Sequence, residues 1–99
     1  MKKLKNIHPG EILKEEFLEP LNISAYRLAK ETLLDQTRIS EIIHKKRKIT
    51  TDTALRLAKF FGNTPQFWLG LQMDYELDLA EDAIEEKIEK EIQPMAATG

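Results

Sequence analysis

The sequence contains no cysteine, which excludes a disulfide scaffold and any thiolate metal site. Its two histidines, His8 and His44, belong to no HExxH pair or other metal-ligand spacing, so no metal is expected. Its four glycines form no phosphate cradle, and no cofactor is expected. No stretch approaches the roughly 18 apolar residues that read as a membrane span. The amino terminus, MKKLKN, is basic, but IHPGEILKEEF follows it where a signal peptide would carry an apolar run. A cytoplasmic protein is the expectation. The carboxylates crowd onto what reads as one solvated helix, where they stay ordinary anions. No catalytic residue is assigned, and no enzyme is expected.

What is present is helical period and an uneven charge. The net charge of -2 hides two opposite halves: residues 1–70 hold 13 Lys/Arg and 8 Asp/Glu, whereas residues 71–99 hold 2 Lys and 9 Asp/Glu. A basic working domain followed by an acidic segment is expected, divided here as 1–74 and 75–99. The 99 residues, 41% of them hydrophobic, suffice for one compact core. A core so small makes oligomerisation an expected supplement.

The apolar spacing predicts an all-α fold with helices at about 9–18, 24–32, 36–44, 51–61 and 65–73. Pro9 fits a first helical position and Pro20 is expected to end that helix. Ser24, Asp35, Thr50 or Thr51, and Thr64 are expected amino-terminal caps, and Gly62 a left-handed carboxy-terminal one. A helical extension, either continuing the fifth helix or separated from it by a bend, is expected to reach about residue 92, supported by a Glu86–Lys90 pair, with a frayed end beyond Pro94. The expected buried set is Leu13, Phe17, Leu28, Ala29, Ile39, Ile42, Leu55, Ala58, Phe61, Phe67 and Trp68, with Ile49 tucked inward.

Two short capped helices joined by a tight turn, at 24–32 and 36–44, read as a helix-turn-helix. The second must then pack one face on the core and offer the other to a major groove. Ile39, Ile42 and Ile43 make the packed face. Gln36 can pair with adenine, Arg38 with guanine, Thr37 and Ser40 with a base or phosphate, and Glu41 can accept from a cytosine amino group. Lys45, Lys46, Arg47 and Lys48 read as phosphate clamps, since long flexible charges position a duplex without distinguishing its sequence. Phe60, Phe67, Trp68, Leu69 and Leu71 offer more apolar surface than one small core needs, and a two-fold dimer on a palindromic site is expected through them. The stripe of Leu77, Ala80, Ile84 and Ile88 is expected to pack on its own core, across the dimer or on a basic partner. The contrasting readings are a stand-alone regulator with no protein partner and an interaction module that binds no DNA.

The chain also resembles the HigA-type antitoxins, also called virulence-associated protein I, within the lambda-repressor-like (XRE) helix-turn-helix family. The resemblance rests on His8-Pro9-Gly10-Glu11-Ile12-Leu13, Leu28-Ala29, Thr37-Arg38-Ile39-Ser40-Glu41-Ile42-Ile43 and Ile49-Thr50. Its most distinctive part runs from Ala54-Leu55-Arg56-Leu57-Ala58-Lys59-Phe60-Phe61-Gly62-Asn63-Thr64-Pro65 through Gln66-Phe67-Trp68-Leu69-Gly70-Leu71-Gln72. It implies a five-helix repressor core, a homodimer on operator DNA, and neutralisation of a RelE-like messenger-RNA ribonuclease toxin. Two positions depart from the family. His44-Lys45 replaces the frequent Asn-Gly turn, and Gly70 stands where many relatives carry Asn.

Overall fold

The computed structural model of the chain describes residues 6–96, and among them there are five helices and no strand. The basic Lys2, Lys3 and Lys5 and the last three positions lie outside these residues.

Helix α1 is a composite of an α-turn Pro9–Ile12, a π-helical segment Leu13–Leu18 and a closing turn Glu19–Leu21. It opens on a reciprocal cap. His8 Nδ1 accepts from the Gly10 amide at 2.8 Å, and the His8 amide donates to Glu11 Oε1 at 3.2 Å. Pro20 does not end the helix, contrary to expectation. The wide turn shifts the pairing by one residue, so that the Glu19 amide donates to the Lys14 carbonyl. The missing amide and the bulk of the proline ring are absorbed there. The helix stops instead at left-handed Asn22, where the Ile23 amide reaches back to the Leu18 carbonyl at 2.9 Å.

Helices α2 (Ala25–Thr32), α3 (Gln36–Ile43) and α4 (Thr51–Phe61) follow, each at its expected place. The hydroxyls of Ser24 and Thr50 cap α2 and α4 by accepting from the amides of Arg27 and Thr53. Asp35 occupies the capping position of α3, but its carboxylate makes no capping bond. Helix α5 runs unbroken from Pro65 to Glu91, with Thr64 as cap. The acidic segment therefore continues the fifth helix, and one ion pair on it is Lys87–Glu91 at 3.2 Å. Glu86 and Lys90 form no such pair among the described residues.

The core joins Leu13, Leu18, Leu28, Ala29, Ile39, Ile42, Ile49, Ala54, Leu57, Ala58 and Trp68. Phe17 and Phe61 are half-buried against it and stack around Trp68 with ring centroids 4.9 and 5.8 Å away. Two expected core residues are not in it: Leu55 is 54% exposed and Phe67 39%. The buried arc of α4 is Thr53, Ala54, Leu57 and Ala58. Leu55 lies about 100° from Ala54 and on the far side from Leu57. At the start of α5 the indole of Trp68 fills the core, so the adjacent Phe67 is left at the rim.

Candidate nucleic-acid interface

The turn between α2 and α3 is closed by backbone rather than by glycine. Leu33 adopts φ +58° and the Leu34 amide donates to the Ala29 carbonyl at 3.0 Å. Leu34 then tucks against the core. On α3, Ile39 and Ile42 are fully buried. Turning them out would forfeit roughly 3–6 kcal/mol of apolar burial together. Exposed ion pairs contribute about 0–1 kcal/mol each. The isoleucines therefore decide which way α3 faces. Gln36, Thr37 and Ser40 are consequently exposed along its outer side, as expected.

The charged candidates divide into two groups. Lys46 and Lys48 are exposed and form no ion pair among the described residues. The others have acidic neighbours within the chain. Arg47 Nε donates to Glu41 Oε1 at 2.8 Å, Lys45 Nζ lies 3.4 Å from Glu11 Oε2, and Arg38 Nη1 donates to Asp52 Oδ2 at 3.3 Å. Glu41, a candidate base acceptor, thus has its charge balanced by Arg47. The basic segment is fastened at both ends. Lys45 takes the left-handed conformation at φ +66°, and the Lys46 amide donates to the Glu41 carbonyl at 2.7 Å. At the other end the Ile49 amide donates to Gln72 Oε1 on α5 at 2.9 Å. Where Asn-Gly would adopt this turn without strain, the chain places a lysine and gains a cation beside α3.

The site is also braced from behind. Gly10 of α1 sits so close to α3 that a Cβ there would collide with the Ile42 carbonyl. Burial holds the His8 imidazole below its ordinary pKa. Nearby Glu11 opposes that shift and Lys45 adds to it. Tyr75 of α5 packs edge-on against the ring at 4.8 Å.

A family model described as helix-turn-helix matches residues 14–68. Virulence-associated protein I of Dichelobacter nodosus is 52% identical over 75 residues, covering 76% of this chain and 69% of that relative. An addiction module antidote protein of the HigA family from Coxiella burnetii is 49% identical. Its structure superposes with a TM-score of 0.88, covering 93% of this chain and 100% of that one. The chain belongs to the HigA family of helix-turn-helix proteins. Another HigA, the antitoxin of Pseudomonas aeruginosa solved with the higBA promoter, superposes with a TM-score of 0.88 at 39% identity, covering 93% of this chain and 100% of that one. The chain spans 61–69% of the length of several curated relatives.

The apolar candidates of this HigA-family chain also divide. Trp68, expected both in the core and on an interface, is fully buried and its Nε1 donates to Asn63 Oδ1 at 2.8 Å. It has no surface to offer a partner. Phe60, Leu69 and Leu71 are half-buried. Leu77, Ile84 and Ile88 are 50, 46 and 44% exposed, so the stripe does not pack on its own core. Together with Ala80 and Ile92 they line a shallow apolar groove edged by Glu81, Glu85 and Glu89.

Sequence reasoning missed four residues that build the site: His8, Asp52, Arg56 and Gln72. The i, i+4 spacing of Asp52 and Arg56 is a visible signal for that pair. Nothing local marks their further partners.

Proposed function

We propose that this chain is a sequence-specific DNA-binding repressor that works as a homodimer and serves as the antitoxin of a HigBA-type pair. The observation that carries the reading is the outer face of α3. Gln36, Thr37 and Ser40 project from a helix whose other side is locked into the core by Ile39 and Ile42. Such side chains form directional bonds with base edges. Arg38 and Glu41 extend that face. Lys46 and Lys48 stand beside it with unshared charge, and Lys45 and Arg47 sit in exposed pairs weak enough for a phosphate to displace. A relative solved with its own promoter supports operator DNA as the ligand.

The antitoxin half rests on relatives of that name and on the acidic part of α5, whose charge suits a basic RelE-like toxin. The homodimer is carried by the half-buried Phe60, Leu69 and Leu71, the rim of Phe67 and the exposed stripe of Leu77, Ile84 and Ile88. The chain acts by binding rather than by catalysis, in the cytoplasm where its operator lies. Titrating a labelled duplex from the region upstream of its own gene tests the DNA half. Tight, salt-sensitive binding with much weaker binding to a scrambled duplex is expected. Equal weak binding to both would remove the sequence-specific reading. Co-purification with the product of an adjacent ribonuclease-like gene tests the antitoxin half.

A further inference from the structure

Arg38 is the one candidate base reader whose side chain is tied to another helix. Its side chain is 30% exposed, Nη1 donates to Asp52 Oδ2, and Nε is buried with no hydrogen-bond partner among the described residues. Asp52 is itself fixed. Arg56, one turn along α4, donates through Nε to both Asp52 oxygens at 3.1 and 3.2 Å. Arg56 Nη1 in turn donates to the Thr32 carbonyl at 2.9 Å and lies 3.4 Å from that of Leu33, at the end of α2. The relay from α2 through Arg56 and Asp52 to Arg38 spans the helix-turn-helix and α4.

Two effects of Asp52 on DNA binding have opposite signs. As a carboxylate beside a phosphate-facing surface it should weaken binding to every duplex. As a clamp it restricts an otherwise flexible guanidinium before DNA arrives, which removes part of the ordering cost of a directional contact. A clamp helps only where the fixed geometry meets a matching acceptor. Two guanidinium groups share one carboxylate here, so positive charge is left over. Nη2 takes no partner among the described residues and remains available to an acceptor. A pure holding role, with Arg38 released on binding, would weaken operator and random DNA alike or narrow the gap between them. Only retention of the pair in the complex widens that gap.

We propose that Asp52 is a specificity-determining positioning residue, which stays paired with Arg38 in the operator complex and aims its guanidinium at a base. This rests on the DNA-reading function proposed above. The test compares the upstream duplex with a scrambled one for wild type, Asp52→Asn, Arg38→Ala and the double variant, each first shown to melt cooperatively. Asp52→Asn should weaken operator binding about three- to tenfold while scrambled binding stays level or tightens. In the Arg38→Ala background the same change should no longer weaken operator binding. Asp52→Glu, which keeps the acceptor and charge, should recover part of the lost discrimination.

Equal tightening on both duplexes by Asp52→Asn would reduce Asp52 to a repelling charge and overturn the proposal. So would an unchanged effect in the Arg38→Ala background. A structure of the wild-type operator complex tests the pair without any variant, and Arg38 found away from Asp52 in it contradicts the proposal. Wild type that ignores the upstream sequence would sink the DNA-reading function and this inference together. Wild type that discriminates, with no coupling in the cycle, sinks this inference alone.

Discussion

The missing side chain of Gly10 lets α1 rest directly on the last turn of α3. Replacing it with Ala should destabilise the protein by roughly 1–3 kcal/mol, because the added carbon meets the Ile42 backbone rather than a movable side chain. Urea unfolding measures the loss. His8, two residues earlier, couples the same joint to pH. Its folded pKa lies below 6.5, mainly because it is buried. The unfolded chain therefore binds the proton more readily, and stability rises with pH between the two values. The contribution is complete above 6.5 and is lost as pH falls through the folded value. Protonation also removes the acceptor for the Gly10 amide. His8→Asn keeps a capping acceptor that does not titrate. Below pH 6.5 it should lose less stability than wild type, as followed by thermal melts across pH. The His8–Glu11 cap is written in neighbouring residues and is open to reading. The collision at Gly10 depends on a carbonyl from a distant helix, which no local pattern announces.

At the scale of elements, legibility follows the same division. Ser24, Thr50 and Thr64 cap helices by bonding three residues onward, a local chemistry that the sequence states outright. The period of Ile39 and Ile42 likewise determines the outer face of α3. Expectation and structure part where one element's state depends on others. Pro20 passes through α1 because a π turn accommodates it, and Leu55 reads as core although Ala54 and Leu57 already fill that face of α4. Within the Arg38–Asp52–Arg56 relay only the Asp52–Arg56 pair has a local spacing, and its links to Arg38 on α3 and to the end of α2 are invisible in the sequence for the same reason. Gly70 gives an element-scale prediction. A Cβ there meets nothing within 4 Å, so Gly70→Ala should stabilise α5 by roughly 0.5–1 kcal/mol through helix propensity. Denaturant midpoints at constant slope are the check. Lys46→Ala and Lys48→Ala should weaken operator and scrambled duplex alike, and each should lower the salt dependence by about one counterion. A change in sequence preference from either would move that lysine among the base readers.

The whole molecule is elongated, 56 × 26 × 24 Å, because α5 continues well past the body of the domain. Its buried residues, Trp68 and Gln72, lie in its first two turns. Beyond Tyr75 the helix adds no residue to the buried core, although the Asn6 amide donates to Asp78 there, and it carries an apolar stripe flanked by acid. A chain ending at Asp74 should still fold, although it lacks the Tyr75 ring that packs on His8. It should fail in dimerisation or in retention of a toxin. Sedimentation and co-purification separate these outcomes. A truncated chain that dimerises and retains a toxin as well as the full one does would deny the stripe any interface role. The central claim concerns the outer face of α3, presented twice by a two-fold dimer. Hydroxyl-radical footprinting over the region upstream of the gene tests it directly. Two protected half-sites on one side of the duplex, about 34–36 Å apart, are predicted for paired reading helices. Uniform protection, or protection that a scrambled duplex reproduces, would contradict it.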